Sequence, residues 1–366
     1  MKEAERLTIA VSGMNAVDNP GPGVPVVRSL REAFRESVRI VGLCYGSLEP
    51  GAYMNNMVDS SYLLPYPSEG EEAMFNRLLY IQKKEHINVL IPNLDAELFP
   101  FIQLSDQLRS LGIRMILPTE AQFDLRQKDK LSWIAESMKI NVPHYFSCHS
   151  FQEYQNHTLK YSSEFQYPVV VKGRYYEAYI AYNYAQAESL FNHIAMKWGY
   201  PVIVQEFVSG TEFNVVGNGD GKGNLLAMVA MRKMYVTEKG KAWSGISVED
   251  EELQTFASDF VKATLWRGPF ELELMKGEDG VFYLIEINPR FPAWIYLATA
   301  VGQNIPKQVV QMSMNEQIEP YNTYDVGKMF VRYSWDMVVD HDEYGSFAVK
   351  GEKHSERREE NGSDRK

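Results

Sequence analysis

Within the first 118 residues, short apolar runs alternate with stretches of helical spacing, and this restricts the fold more than any other feature of the chain. "LTIAVSG" (7–13), "VRIVGLCY" (38–45), "INVLIP" (87–92) and "IRMILP" (113–118) read as buried strands. "VVRSLREAF", "EAMFNRLLYIQKKEH" (72–86) and "ELFPFIQLSDQLRSLG" read as helices, the last despite Pro100. Strands separated by helices pair in parallel, with both faces of the sheet covered. Ligands of such sheets sit beyond the carboxyl ends of the strands. The loop at 13–25 and "NLDAE" (93–97) occupy two such ends, and Ser12–Gly23 within the first is a candidate cradle for an anionic part of a substrate or, equally, a Pro- and Gly-rich turn without a ligand. Asp95 and Glu97 there are candidates to hold a substrate amino group or, equally, to be charges at a helix N-terminus.

The pattern changes near residue 118. A connecting helix over 129–140 leads to strands at 167–173, 179–184 and 201–208, with a helix over 185–198. Longer strands at 212–218 and 224–236 precede a helix over 249–265 and a last hairpin over 269–289. This half is α+β and dominated by antiparallel hairpins. The expected division is a parallel α/β domain over 1–117, an α+β half over 118–340, and a flexible tail over 341–366.

A formal net charge of -11 without a basic stretch to offset it argues against a general nucleic-acid partner. Two cysteines, Cys44 and Cys148, make neither a disulfide framework nor a zinc cluster. The N-terminal apolar run is too short for a signal peptide or a membrane span, so a soluble, cytoplasmic protein is expected.

The last hairpin, "FELELMKGEDGVFYLIEIN" (270–288), carries the densest chemistry. A two-residue turn at Asp279-Gly280 places Glu273 opposite Glu286 and Glu271 opposite Asn288, with Leu272, Leu274, Ile285 and Ile287 on the other face. Two carboxylates about 5 Å apart repel by roughly 3 kcal/mol at an effective dielectric near 20. A shared proton, a nearby Arg or Lys, or a hard cation answers that repulsion; oxygen donors of this kind suit magnesium. The hairpin alone leaves these answers open.

Glu273, Glu286 and Asn288, followed by "NPR", resemble the metal-binding signature of the ATP-grasp superfamily, and the likeness runs from about residue 6 to 335. The early strand–helix series, with "VLIPNLDAEL" and "DK", is similar to the preceding domain of its carbamoyl-phosphate-synthase-like members. The resemblance implies a pre-ATP-grasp α/β domain over 1–117, followed by a two-lobed ATP-grasp domain with linker helices and the small lobe over 118–205 and the large lobe over 206–340. It implies ATP and magnesium, two ions with manganese as a substitute, held by Glu273, Glu286 and Asn288. Arg290 and Lys172 would act on the phosphates, and Lys130 matches a basic residue near the nucleotide. Gln205, Glu206, Phe207 and Val208 in "VQEFVSGTE" match the adenine segment, and Glu212 the ribose acceptor. Arg232, with Trp243, falls where the acceptor substrate is expected. The loop "KGRYYEAYIAY" departs from the glycine- and serine-rich lid of many relatives.

The implied activity is a carboxylate–amine ligase working through an acylphosphate, with small-molecule substrates, a peptide among the candidates, no membrane or nucleic acid, and a homodimer as a further expectation. Two other readings are a bicarbonate-phosphorylating relative of carbamoyl-phosphate synthase or biotin carboxylase, and an ATP-binding regulator without turnover.

Overall fold

A computed structural model describes residues 6–17, 20–127, 130–138, 140–160, 166–173, 177–236 and 242–355. The chain forms two compact units: residues 1–123, 214–271 and 288–366 make unit 1, and residues 124–213 and 272–287 make unit 2. These units interleave along the sequence, unlike the successive blocks expected from composition. Arg174 and its neighbouring tyrosines in the lid loop, and the tail beyond 355, lie outside the described residues.

Unit 1 opens with the parallel sheet that the alternation predicts. Strands β1 (Leu7–Ser12), β2 (Val38–Cys44), β3 (Ser60–Leu63) and β4 (Val89–Ile91) stand in the order β3-β2-β1-β4, each neighbouring pair parallel. Helices Gly23–Phe34, Glu71–Glu85 and Asp95–Ser110 bury both faces of the sheet through residues such as Val27, Leu30, Leu78, Ile81, Phe101 and Leu104. The run at 113–118 is not a strand: Arg114 makes one isolated parallel bridge to Val89. Strand β3 lies in a polar stretch, "DSSYLL", that the hydrophobic pattern passes over.

The loop after β1 folds back on its own backbone. The amide of Gly23 donates to the Gly13 carbonyl at 2.9 Å and that of Gly21 to Asn15 at 2.7 Å. A Cβ on Gly23 would lie 2.3 Å from the Ser12 carbonyl, so only glycine fits this closure. These two donors are therefore unavailable to an anion.

Unit 2 holds a four-stranded antiparallel sheet in the order β5-β8-β6-β7, from β5 (Tyr145–Cys148), β6 (Val169–Gly173), β7 (Ala178–Ala181) and β8 (Val202–Glu206). The helix Tyr184–Trp198, capped by Asn183, covers it with Phe191 and Ile194 against Tyr154, Val171 and Val204.

A six-stranded sheet runs β13-β12-β9-β10-β11-β14, from β9 (Gly210–Asp220), β10 (Leu225–Val236), β11 (Ala242–Val248), β12 (Arg267–Gly277), β13 (Phe282–Asn288) and β14 (Met329–Val331). Residues 210–213, 272–277 and 282–287 of its strands belong to unit 2 and the rest to unit 1. The hairpin turn is one residue longer than the sequence suggests. Gly277 donates to the Val281 carbonyl at 2.8 Å across Glu278, Asp279 and Gly280, and Gly280 takes the left-handed φ of 82°. No helix among the described residues is long and apolar enough to cross a membrane.

The C-terminal residues 341–355 correct the expectation of a flexible tail. A helix, His341–Lys350, and strand β15 (Glu352–His354), antiparallel to β3, extend the first sheet. Phe347 is fully buried and edge-on to Tyr53, with ring centroids 6.1 Å apart. Lys353 reaches Asn55 at 2.6 Å and Glu343 at 2.9 Å, and Lys84 pairs with Glu352 at 2.8 Å. A charged composition hid one apolar anchor and a set of matched charges. Phe347→Ala should destabilise unit 1 by about 3–5 kcal/mol, read by urea unfolding.

Beneath β15, Arg39 forks onto Glu85 through Nε at 2.6 Å and Nη2 at 3.2 Å, while the Tyr62 hydroxyl donates to Glu85 at 2.7 Å. Burial works to raise the Glu85 pKa, but these donors hold it below its ordinary 4.5. A depressed carboxylate stabilises the fold above its unfolded pKa and loses that stabilisation as pH falls through its folded value. Stability should therefore drop below pH 4.5, and less steeply in Glu85→Gln, when urea midpoints are compared down the pH scale.

Candidate active site

Glu271 on β12 is a buried carboxylate that must be met by donors, because an ionised oxygen without water or partner costs several kcal/mol. Three side chains of unit 1 meet it. Asn214 Nδ2 donates to Oε1 at 2.7 Å, Trp294 Nε1 to Oε1 at 2.7 Å, and Asn288 Nδ2 to Oε2 at 3.1 Å. Burial lowers the Arg332 pKa, and the charge of Glu271 acts against that shift.

A carboxylate only accepts, so Asn288 must turn its amino group to Glu271. Its Oδ1 then faces the other way and accepts from Arg290 Nη2 at 3.2 Å. Arg290 in turn grips Asp95 Oδ2 with Nε at 2.8 Å and Nη2 at 2.7 Å, and its Nη1 donates to the Phe291 carbonyl at 3.2 Å. Thus Asp95, Arg290, Asn288 and Glu271 form one connected chain within unit 1. Asp95 sits in the first turn of Asp95–Ser110, just past the carboxyl end of β4, where a parallel sheet presents its ligand-facing groups.

The neighbouring Glu97 has a different fate. It is fully buried and accepts from the hydroxyl of Ser12, the Tyr45 hydroxyl at 2.5 Å, and the amides of Asn93 at 2.7 Å and Leu94 at 3.0 Å. Burial raises its pKa and those donors offset part of the rise. Of the two readings open for Glu97, the geometry supports the helix-terminal one: its bonds tie the ends of β1, β2 and β4 to the helix start.

In unit 2, Glu273 and Glu286 stand half-buried on β12 and β13. The opposition expected from a two-residue turn does not hold near the turn, where Gly277 meets Val281. Further along, the alternation of burial breaks at Ile285–Glu286, two consecutive half-buried residues, and Asn288 then reaches Glu271 as expected. Glu273 and Glu286 of unit 2 carry carboxylate oxygens, the donor type that suits a hard divalent cation such as magnesium, while among the described residues no group of three or more His, Cys, Asp or Glu side chains comes together to hold one.

The remaining candidates of unit 2 lie along the antiparallel sheet. Lys172 is buried on β6 between Ala178 and Ile203, not a solvated strand end. Gln205 is buried on β8 beside Val170 and Tyr145. The Glu206 amide donates to the His144 carbonyl at 2.8 Å and its Oε2 accepts from the His144 amide at 3.2 Å. Phe207 and Val208 follow where the strand ends, and Glu212 is half-buried on β9. Lys130 is exposed in a helical turn, and Arg232 is exposed on β10 of unit 1 with Nη2 3.6 Å from Met234 Sδ.

Sequence pattern does not single out Glu271, Asn214 or Trp294 as site residues. Glu271 was readable only as a member of the polar face of β12, and nothing in "FPAW" or "FNVV" marks the other two.

Residues 200–335 match the family described as ATP-grasp in the biosynthetic pathway with Ter operon. Among solved structures, the fold is similar to L-amino acid ligase from Bacillus licheniformis, 17% identical, with 86% of this chain and 77% of that one covered at a TM-score of 0.64. Biotin carboxylase from Campylobacter jejuni, in a β-γ-ATP complex, is 14% identical over 88% of this chain and 74% of that one, TM-score 0.68. The biotin carboxylase domain dimer of Hydrogenobacter thermophilus 2-oxoglutarate carboxylase, in complex with MgADP, ADP and bicarbonate, is 16% identical over 87% and 73%, TM-score 0.66.

If Glu271 is the organising acid of this cluster, Glu271→Ala strands three buried donors and should cost about 3 kcal/mol or more. Glu286→Ala, at a half-buried position, should cost about 1 kcal/mol or less. Urea unfolding of the two variants side by side separates these roles.

Proposed function

We propose that this chain, whose fold is that of the ATP-grasp superfamily, is an ATP-dependent carboxylate–amine ligase. In this reaction a substrate carboxylate attacks the γ-phosphate of ATP, giving an acylphosphate and ADP. An amine then displaces phosphate and an amide forms. The observation that carries the reading is the row Glu286, Asn288 and Arg290 on and just past one strand, with Arg290 bound to both Asn288 and Asp95. The family match over 200–335 spans this row, and the similarity to an L-amino acid ligase supports the choice of an amine acceptor.

In this reading, phosphoryl transfer needs positioning and cations more than covalent chemistry from the protein. Arg290 holds negative charge on the transferring phosphoryl or the acylphosphate, and Asp95 fixes the plane of its guanidinium. Asp95 is also the acid that meets an incoming ammonium. Lys172 serves the phosphates from a buried strand position, with Lys130 as a second basic contact. Gln205, Glu206, Phe207 and Val208 hold the adenine, Glu212 the ribose, and Arg232 the acceptor. Magnesium, held by Glu273, Glu286 and Asn288 as one or two ions or replaced by manganese, would neutralise phosphate charge; the MgADP complex of a structural neighbour supports this choice.

The test is product analysis from Mg-ATP with pooled amino acids and small carboxylates. ADP release that depends on a particular acid and an amine, and falls roughly 100-fold or more in Glu286→Ala, is the expected result. AMP release would refute the acylphosphate route. ADP release driven by bicarbonate alone would move the chain to the bicarbonate-phosphorylating class, and ATP binding without turnover on any pool would make it a regulator.

A further inference from the structure

Arg267 begins β12, half-buried, four residues before Glu271. A guanidinium stays charged at physiological pH and carries five N–H donors, so its burial calls for an acceptor. Among the described residues none accepts from Arg267: its side chain makes no hydrogen bond and no ion pair. The charge that bears on it has its own sign. Burial lowers the Arg267 pKa, and the neighbouring charge of Arg109 lowers it further. Arg109 stands exposed in the last turn of the helix Asp95–Ser110, with Asp106, itself exposed, 3.9 Å away. An exposed pair at that distance holds an arginine only weakly.

Two lysines border the same place. The turn Asp220–Asn224 lies against both Arg267 and the last turn of the helix Glu251–Thr264. A Cβ on Gly221 would lie 3.3 Å from the Arg267 Cβ, and one on Gly223 would lie 3.7 Å from the Lys262 Cα. Lys222, within the turn, and Lys262 are exposed. The acid of the turn is already engaged. Asp220 Oδ1 accepts from the amides of Lys222 at 2.6 Å and Asn224 at 3.0 Å, and its Oδ2 accepts from Asn224 Nδ2 at 2.7 Å. Four cations thus gather on one part of unit 1 in a chain of net charge -11, and no carboxylate bonds the most buried of them.

We propose that Arg109 and Arg267, bordered by Lys222 and Lys262, form a binding site for a phosphate group. The paired N–H groups of a guanidinium match phosphate oxygens, and two guanidinium groups suit a dianion. The bound phosphate gives Arg267 the acceptor it lacks and offsets the repulsion from Arg109. This site is separate from the Asp95–Arg290–Asn288–Glu271 chain. Arg109 lies 14 residues beyond Asp95, about 21 Å along the helix. Arg267 lies about 13 Å along β12 from Glu271. The anion therefore joins the far ends of the two elements that carry Asp95 and Glu271. Its chemistry is shared by inorganic phosphate and by the phosphomonoester of a small metabolite.

Thermal unfolding of the full chain at constant ionic strength, titrated with inorganic phosphate and separately with glycerol 3-phosphate, tests this. The unfolding midpoint should rise saturably with at least one of them, and the tighter of the two identifies the source of the phosphate group. Arg267→Gln and Arg109→Gln should each raise the half-saturating concentration roughly tenfold or more. Lys83→Gln makes the same charge change at an exposed position on the helix Glu71–Glu85 and should leave it unchanged. Circular dichroism confirms that each variant is folded, and the exposed Arg109 supplies a variant that keeps the fold should Arg267→Gln lose it. A midpoint that rises with neither phosphate, or with citrate alone, overturns the proposal. So does a rise that survives both arginine substitutions, which would place the phosphate at the nucleotide site, or one that Lys83→Gln weakens equally, which would make it a matter of net charge.

Discussion

A buried carboxylate dictates the behaviour of its neighbours, and Glu271 does so for the centre of unit 1. As a pure acceptor it takes the amino group of Asn288 and the indole N–H of Trp294. The first of these bonds decides which end of the Asn288 amide looks toward Arg290. An amide turned the other way would place two oxygens against each other at Glu271 and two donors against each other at Arg290. The orientation of one side chain thus follows from the desolvation of another, both being buried.

Arg290 carries that order outward. Its two N–H bonds to a single oxygen of Asp95 hold the guanidinium at the carboxyl end of β4, where the parallel sheet ends and the helix Asp95–Ser110 begins. Asp95 and Glu97 are separated by one residue in a helical first turn, so their side chains diverge. One joins the arginine; the other turns into the sheet and bonds Ser12, Tyr45 and two backbone amides. The same charge type at the same helix end thereby does two kinds of work: it orients a cation and it locks three strands to a helix.

The features legible from the residues are those set by local pattern. Period 2 and period 3.6 place β1, β2, β4 and their helices, because burial on both faces leaves no other arrangement of apolar residues. The hairpin and its polar face are legible for the same reason. The strand expected at 113–118 fails because an apolar run needs a partner along its length, and only Arg114 finds one, at Val89. Strand β3 and the C-terminal helix escape notice because polar sequences are drawn into order by what they meet: Ser60 and Tyr62 by the Arg39–Glu85 fork, Phe347 by Tyr53.

The amino-acid sequence alone determined the two sheet classes, the polar strand face and the oxygen-rich donor set, since these depend on residue type and spacing within one element. The length of the hairpin turn, the partition of Asp95 from Glu97 and the role of Glu271 were decided only by the tertiary structure. Each depends on groups far apart in the chain: Asn214 lies 57 residues from Glu271, and Asp95 lies 195 residues from Arg290. Spacing within an element cannot encode which distant donor will meet a carboxylate once water has been excluded, and that meeting fixes where each polar group points.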